Sequence, residues 1–483
     1  MITRKDLNPN LLEAEYAVRG AIVNRAQELE KQGHKIIYCN IGNPQALKQK
    51  PITYIRQTLS LLEYPELLNE KDILEHYPKD IVERSRWILQ NHPHGTGAYT
   101  QSGGIGFIRK AIAEFISKRD GIPADEEHII LTDGASKGVQ SVIMALLKKK
   151  TDGFMIPIPQ YPLYSASITL YGASQIGYYL DEQNAWQLNE KILADSIQKA
   201  KKDGIDPVAM VVINPGNPTG AVLSHENIEM IIRFAQKHNL SLMADEVYQK
   251  NIYDPNYHFY SFAKVIHEMG VKDTPLFSFH SVSKGYMGEC GHRGGYMEVR
   301  NVPDEVMAEF IKIHSISLCA NLDGQFVTYL MISPPKEGDE SYNLFVKERD
   351  GILHELKTKA RIIGEGLGSI KGMTTGVPPG AMYAFVKLEL PHTRDVTKMT
   401  PEERLAYDSK RDNDYCLALL EETGICVVPG SGFGQLPGTL HFRTTFLPPR
   451  DEIEELVVKV KEFHEMYVEK MKKVVLQLED SKV

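Results

Sequence analysis

The run Leu276–Tyr296, LFSFHSVSKGYMGECGHRGGY, sets one lysine, Lys284, in glycine-rich surroundings and an arginine, Arg293, nine residues after it. Phe277 and Phe279 alternate in a strand-like pattern. Lys284 is therefore expected where a strand ends and the chain turns back through Gly285, Gly288, Gly291, Gly294 and Gly295. Such a bend turns backbone N–H groups outward. With Arg293 and the hydroxyls of Ser281 and Ser283 they suit a phosphate dianion, while the amine of Lys284 suits attack on an aldehyde. Read alone, the stretch is equally an ordinary solvated loop, and the choice between the two lies in the rest of the chain.

From about residue 125 to 300, short apolar runs alternate with helical patterns: HIILT, GFMIPIP, VAMVVIN, LSLMAD and LFSFHS. This is the signature of a mostly parallel sheet covered by helices on both faces, an α/β fold. Such sheets bind ligands beyond the carboxyl ends of their strands. Those ends read TDGAS, PIPQYPLY, INPGNPTG, ADEVYQ and HSVSK, which hold most of the notable polar residues. Before this region, Ile108, Ala111, Ile112, Phe115 and Ile116 mark an amphipathic helix. Within it, Ser224 is placed to cap a helix carrying Ile228, Ile231, Ile232 and Ala235 on one face. The loop SPPKEGDE marks a boundary, after which AMYAFVKLEL, GICVVPG, TLHFRTTF and a long final helix from Glu452 form a second, smaller α/β unit. The chain divides accordingly into 1–95, an N-terminal arm with part of the small domain; 96–340, the large domain; and 341–483, the C-terminal small domain.

At 483 residues the chain exceeds what one hydrophobic core sustains, and its net charge of −8 offers no surface for nucleic acid. The five cysteines, Cys39, Cys290, Cys319, Cys416 and Cys426, are scattered without metal-ligand or disulfide spacing, so reduced thiols and no metal site are expected. No apolar stretch approaches membrane-spanning length. The first twenty residues lack an apolar signal core and carry acids that transit peptides avoid, so a cytoplasmic location is expected.

Asp245 closes LSLMAD, where a carboxylate either caps the next helix or keeps a pyridine nitrogen protonated. Tyr248 is half-buried packing or a hydrogen-bond partner for a phenolic oxygen. Asn217 stands beside Pro218 and Gly220 in a turn that fixes its amide. Ala135 and Ser136 begin a helix whose free N–H groups suit a phosphate. Tyr161, between prolines, packs in a core or stacks on a planar ring. Arg443 interrupts the apolar run TLHFRTTF and needs an anionic partner, either a structural acid or a substrate carboxylate. No GK[ST] ending or complete GxGxxG follows a strand, which argues against a nucleotide site. Phosphate, aldehyde and pyridine occur together in pyridoxal 5'-phosphate.

These motifs occur in an order, GAS, NPGNPTG, DEVY, SxSK, Arg293 and a late arginine, in which the chain resembles the fold-type I, class I pyridoxal-phosphate aminotransferases. The blocks NIGNPQALKQKPIT, LTDGASKG, MIPIPQYPLYSA, VINPGNPTG, ADEVYQ and SVSKGYMGECGHRGGYMEV look like its alanine aminotransferase branch, over about residues 13 to 450. The resemblance implies that Lys284 forms the Schiff base and shuttles the proton, Asp245 pairs the pyridine nitrogen, and Asn217 and Tyr248 bind the phenolic oxygen. It further implies that Ala135, Ser136, Ser281 and Arg293 hold the phosphate, Tyr161 stacks on the ring, and Arg443 with Gly42 receives the substrate α-carboxylate. Tyr99 matches a tyrosine offered to the neighbouring subunit's phosphate, implying a homodimer with active sites at the interface. The implied reaction is reversible amino transfer from L-alanine to 2-oxoglutarate, with Arg19 the candidate for the distal carboxylate. A glutamate:glyoxylate or other amino-acid aminotransferase, or a lyase on the same fold, shares these residues. The gap of nine between Lys284 and Arg293 departs from the eight of many class I enzymes.

Overall fold

The computed structural model describes residues 2–16 and 20–480. Near the N-terminus, β1 (Ile37–Tyr38) pairs in parallel with β11 (Ile425–Cys426), which ties the start of the chain to its last third. The central sheet comprises β2 (Ile129–Thr132), β3 (Asp152–Ile158), β4 (Ser174–Tyr179), β5 (Asp206–Ile213), β6 (Ser241–Asp245), β7 (Leu276–Ser281) and β8 (Gly295–Arg300). Their order is β2-β8-β7-β6-β5-β3-β4, and every pair is parallel except the two made by β8. Because β7 and β8 are antiparallel neighbours with Ser281 opposite Gly295, the glycine-rich stretch around Lys284 is the connection between them.

The five expected strands form because each is an apolar run buried on both faces, as a helix-covered parallel sheet requires. Two strands were missing from the sequence expectation. β4 is an edge strand whose Ser174 and Gln175 break the apolar pattern, and β8 hides its strand character behind Glu298 and Arg300. The expected cap is present, with the Ser224 hydroxyl accepting from the Asn227 N–H at 3.1 Å.

The second sheet is antiparallel, in the order β12 (Val428–Pro429), β13 (His441–Thr445), β10 (Tyr383–Leu388) and β9 (Met373–Thr374). The helices Tyr342–Gly368, Pro401–Thr423 and Arg450–Asp480 pack against it. The first of these serves two cores. Phe345, near its start, packs with Tyr54 and Phe326, whereas Leu356, Ala360, Ile363 and Leu367 pack with the small-sheet residues Val386 and Phe442. Residues Ile22–Ile37 join that second core, while Ile52–Ile88 join the first. Among the described residues, no helix is long and apolar enough to cross a membrane.

One face of the central sheet buries charge. Glu246, just past β6, accepts from the Phe262 N–H at 2.8 Å, and Asp120 nearby pairs with Arg119 at 2.5 Å and accepts from the Ser261 hydroxyl at 2.8 Å. Burial pushes the Glu246 carboxyl up to about 8, against the opposing pull of Arg119. A carboxyl whose folded pKa lies above its unfolded value near 4.5 holds its proton more tightly when folded. Its contribution to stability is therefore fully present at low pH and is lost as pH rises toward about 8. Glu246→Gln keeps the acceptor oxygen and removes the titration. In urea melts the variant should lose less stability than the parent between about pH 5 and pH 8, by on the order of 1 kcal/mol or more. Equal losses would refute this account.

Candidate active site

Where the carboxyl ends of β5, β6 and β7 meet the small sheet there is a cavity of about 450 Å³. Its three sides carry different chemistry. At one end the helix Ala135–Leu146 begins after Gly134, which has a φ of 77°, and its first residues Ala135 and Ser136 line the cavity. Arg293, itself at a φ of 49°, donates from Nη1 to the Cys290 carbonyl at 2.9 Å and from Nη2 to the Asp133 carbonyl at 3.0 Å. The same Nη2 lies 3.4 Å from the Ser136 hydroxyl, and Ser281 lines the wall beside them. A Cβ at position 134 would stand 2.5 Å from Arg293 Nη2, so only glycine leaves this cradle open. Helix N–H groups, two hydroxyls and a guanidinium make an anion site.

Deeper in the cavity, Asp245 ends β6 with 4% of its surface exposed. It accepts from the Tyr164 hydroxyl at 2.9 Å and from the Val247 N–H at 3.4 Å. Burial raises its pKa to about 6, against those hydrogen bonds and the charge of Lys284. A cationic ring nitrogen beside it would favour the ionised form. Lys284 donates from Nζ to the Gly42 carbonyl at 2.6 Å and lies 5.7 Å from the centre of the Tyr248 ring. Tyr248 in turn donates to the Tyr383 hydroxyl at 3.2 Å. Burial drives the Tyr248 hydroxyl well above its ordinary pKa. Burial also acts to raise Tyr383, but the charges of Lys284 and Arg443 and the bond from Tyr248 outweigh it and hold that hydroxyl low.

On the third side, Arg443 projects from β13 and is 1% exposed. Its guanidinium lies 4.3 Å from the Tyr383 ring centre and 4.6 Å from that of Phe433. Nη1 donates to Asn217 Oδ1 at 3.1 Å, Nη2 to the Asn40 carbonyl, and Nε has no partner. A guanidinium has five N–H groups, so three remain for a ligand, enough for a bidentate carboxylate.

The cavity thus brings together Lys284, Asp245, Tyr248, Asn217, Tyr161 and Gly42 with the anion cradle and Arg443. Tyr161 meets Tyr16 by a 2.6 Å hydroxyl contact and an edge-on ring. Tyr99 is not among the wall residues; it is 76% exposed. Arg19 lies outside the described residues. The wall also holds residues outside the expected set, among them Tyr16, Tyr383, Cys290 and Val247. Tyr164, behind Asp245, is a further residue outside the expected set. Tyr164 stands three residues beyond Tyr161, and Tyr383 opens an alternation with Phe385 and Lys387 on β10, but neither pattern names a partner. The segment MGECGH, without an assigned role in the sequence, is pinned through Glu289, which accepts from Arg56 Nη2 at 2.9 Å and lies 2.9 Å from His292 Nδ1.

A family model described as aminotransferase class I and II matches residues 67–460. A relative from Dictyostelium discoideum, named probable alanine aminotransferase, mitochondrial, is 46% identical over 98% of this chain and 90% of its own length. Glutamate–glyoxylate aminotransferase 2 of Arabidopsis thaliana is also 46% identical, over 96% of each chain. A solved structure named alanine aminotransferase, from Pyrococcus furiosus, superposes with a TM-score of 0.75 at 26% identity, covering 95% of this chain and 100% of its own. The expected cytoplasmic location is overturned by relatives named mitochondrial. The acidic residues near the N-terminus were no guide to compartment.

Gly42 is the tightest point of the site. A methyl group there would collide with the Tyr383 hydroxyl and stand 3.0 Å from Lys284 Nζ. Gly42→Ala should cut kcat/KM by about 100-fold through displacement of these groups. Adding Tyr383→Phe, which removes the struck oxygen, should restore part of it. A fully active single variant in steady-state assays would contradict the geometry.

Proposed function

The chain belongs to the aminotransferase class I and II family, and on that premise we propose that it catalyses reversible ping-pong transamination, L-alanine plus 2-oxoglutarate giving pyruvate plus L-glutamate. Pyridoxal 5'-phosphate is its cofactor. The residues fit that group: the cradle that a Cβ at Gly134 would fill suits its phosphate, and the buried Asp245 suits its ring nitrogen. The observation that carries the reading is one cavity holding an amine, a buried strand-end carboxyl, an anion cradle and a buried guanidinium with a free Nε.

When bound, the cofactor supplies an aldehyde for the amino group and a protonated ring that draws electrons from the α-carbon. Ala135, Ser136, Ser281 and Arg293 hold the phosphate end. Asp245 keeps the proton on the ring nitrogen, and Asn217 with Tyr248 hydrogen-bonds the phenolic oxygen. Among the described wall residues Lys284 is the only amine. Its Nζ would carry the proton between the substrate α-carbon and the carbon that is the cofactor's aldehyde, with Gly42 O and the Tyr248 ring holding the amine in place. Arg443 orients both substrates through the α-carboxylate they share. The relative named for glyoxylate supports a second reading, with glyoxylate as the amino acceptor.

Three cations line the described wall, Lys284, Arg293 and Arg443, and each has its task. Arg19, three residues after the wall residue Tyr16, is our candidate for the distal carboxylate. A homodimer sharing its sites through the exposed Tyr99 completes the reading, and a monomer in sedimentation would end that part of it.

Adding L-alanine to the holoenzyme should bleach the absorbance of the lysine-bound cofactor, and 2-oxoglutarate should restore it. Restoration by glyoxylate alone would select the second reading, a band bleached by L-glutamate but not by L-alanine would reject the alanine assignment, and a band indifferent to both would reject both readings. Lys284→Ala should lose turnover by at least about 10⁴-fold. In the same assay Arg19→Ala should raise KM for 2-oxoglutarate about tenfold or more while leaving that for alanine unchanged.

A further inference from the structure

A contact between the two sheets lies beyond the cavity, at the edge strand β4. Glu182, in the turn that follows β4, has Oε1 3.2 Å from His441 Nε2 on β13, and its Oε2 accepts from Lys387 Nζ on β10 at 3.0 Å. His441 and Lys387 face each other across those strands. The next rungs on the same face, two residues along each strand, are Phe385 with Arg443 and then Tyr383 with Thr445. One face of the small sheet therefore runs from the Glu182 contact to the substrate arginine.

The rungs are packed as well as aligned. Phe385 stacks on His441 with ring centres 4.5 Å apart and planes 9° apart. Phe433 sets its edge on Phe385 at 6.0 Å and lies 4.6 Å from the Arg443 guanidinium. His441 is further fixed from behind. Its Nδ1 lies 3.1 Å from Gln435 Oε1, and Gln435 donates to Asp412 Oδ2 at 2.7 Å, on the helix Pro401–Thr423. The Glu182 carboxyl is partly buried, which would raise its pKa, yet His441 and Lys387 hold it below its usual range. Removing it leaves those groups without their anion in a partly desolvated place.

We propose that Glu182 is a positioning residue. Through the His441–Lys387 rung it sets the placement of the small sheet against the edge of the central sheet, and so where Arg443 meets the substrate carboxylate. This rests on Arg443 as the carboxylate site. The phosphate cradle and Lys284 belong to the other sheet and do not depend on the contact.

The test is steady-state kinetics of the holoenzyme with Glu182→Ala, Glu182→Gln and Arg443→Lys. Glu182→Ala should raise KM for L-alanine and for the oxo acid by the same factor, about tenfold, with kcat within about twofold and the cofactor absorbance unmoved. Glu182→Gln, which keeps the oxygen but not the charge, should fall between. The exchanged pair Glu182→Lys with Lys387→Glu should recover most of the loss, and the rise in both KM values at an unmoved kcat and cofactor absorbance is the signature that a merely structural effect on stability would not produce. If Arg443→Lys raises both KM values and Glu182→Ala raises neither, or only one, the positioning role is wrong while the carboxylate reading stands. If Arg443→Lys itself leaves both KM values unchanged, the carboxylate reading fails and this inference fails with it.

Discussion

A guanidinium that is 1% exposed and surrounded by tyrosines rather than acids is the constraint on which this structure turns. Burial lowers the pKa of Arg443, and the groups that pull it back up are Tyr383, Tyr248, Tyr161 and Tyr16. A buried charge without a counter-ion is expensive, by several kcal/mol even after relaxation. The protein meets that cost with parts drawn from across the chain: the Asn217 amide from the loop after β5, the Asn40 carbonyl from the segment after β1, and the rings of Tyr383 and Phe433. These partners stabilise the cation without neutralising it, so the charge at the cavity wall is left without a counter-ion.

The opposite end of the cavity follows a related logic with backbone groups. Arg293 lies at the end of the connection from β7 to β8, and the fixed rungs on either side hold it against the start of the helix Ala135–Leu146. Between the two anion sites Lys284 has both a backbone acceptor and a ring beneath it. The Val282 N–H bonds the Gly294 carbonyl at 3.1 Å and the Glu289 N–H bonds the Val282 carbonyl at 2.9 Å, so a glycine-rich loop is tied at several points. Those ties fix the spacing of the amine from the two guanidinium groups on either side of it.

Much of this was legible in the sequence because it is local. Asp245 ends an apolar run, Asn217 sits in a proline-bounded turn, and Lys284 and Arg293 share one loop, so each announces its place through its neighbours. The remainder depends on distant pairings. Tyr164 finds Asp245 across 81 residues, Tyr383 finds Tyr248 across 135, and His441 finds Glu182 across 259. Nothing in EQN or MYAF reveals those partners, because tertiary packing decides them. β8 was hidden for a similar reason: its buried Glu298 is paired with Arg300 at 2.5 Å, and a charged pair in a strand reads as surface until that pair is seen.

The arrangement also bears on how one site can accept a methyl side chain and a carboxylate in alternate half-reactions. A second guanidinium fixed and dehydrated at the distal position would favour 2-oxoglutarate, but it would remain unpaired whenever alanine occupied the site, at a cost comparable to that of Arg443. Among the described wall residues no fourth cation is built in, and the aromatic pair Tyr16 and Tyr161 is part of the same wall. A distal cation that is hydrated in the alanine half-reaction and engaged in the other avoids that cost.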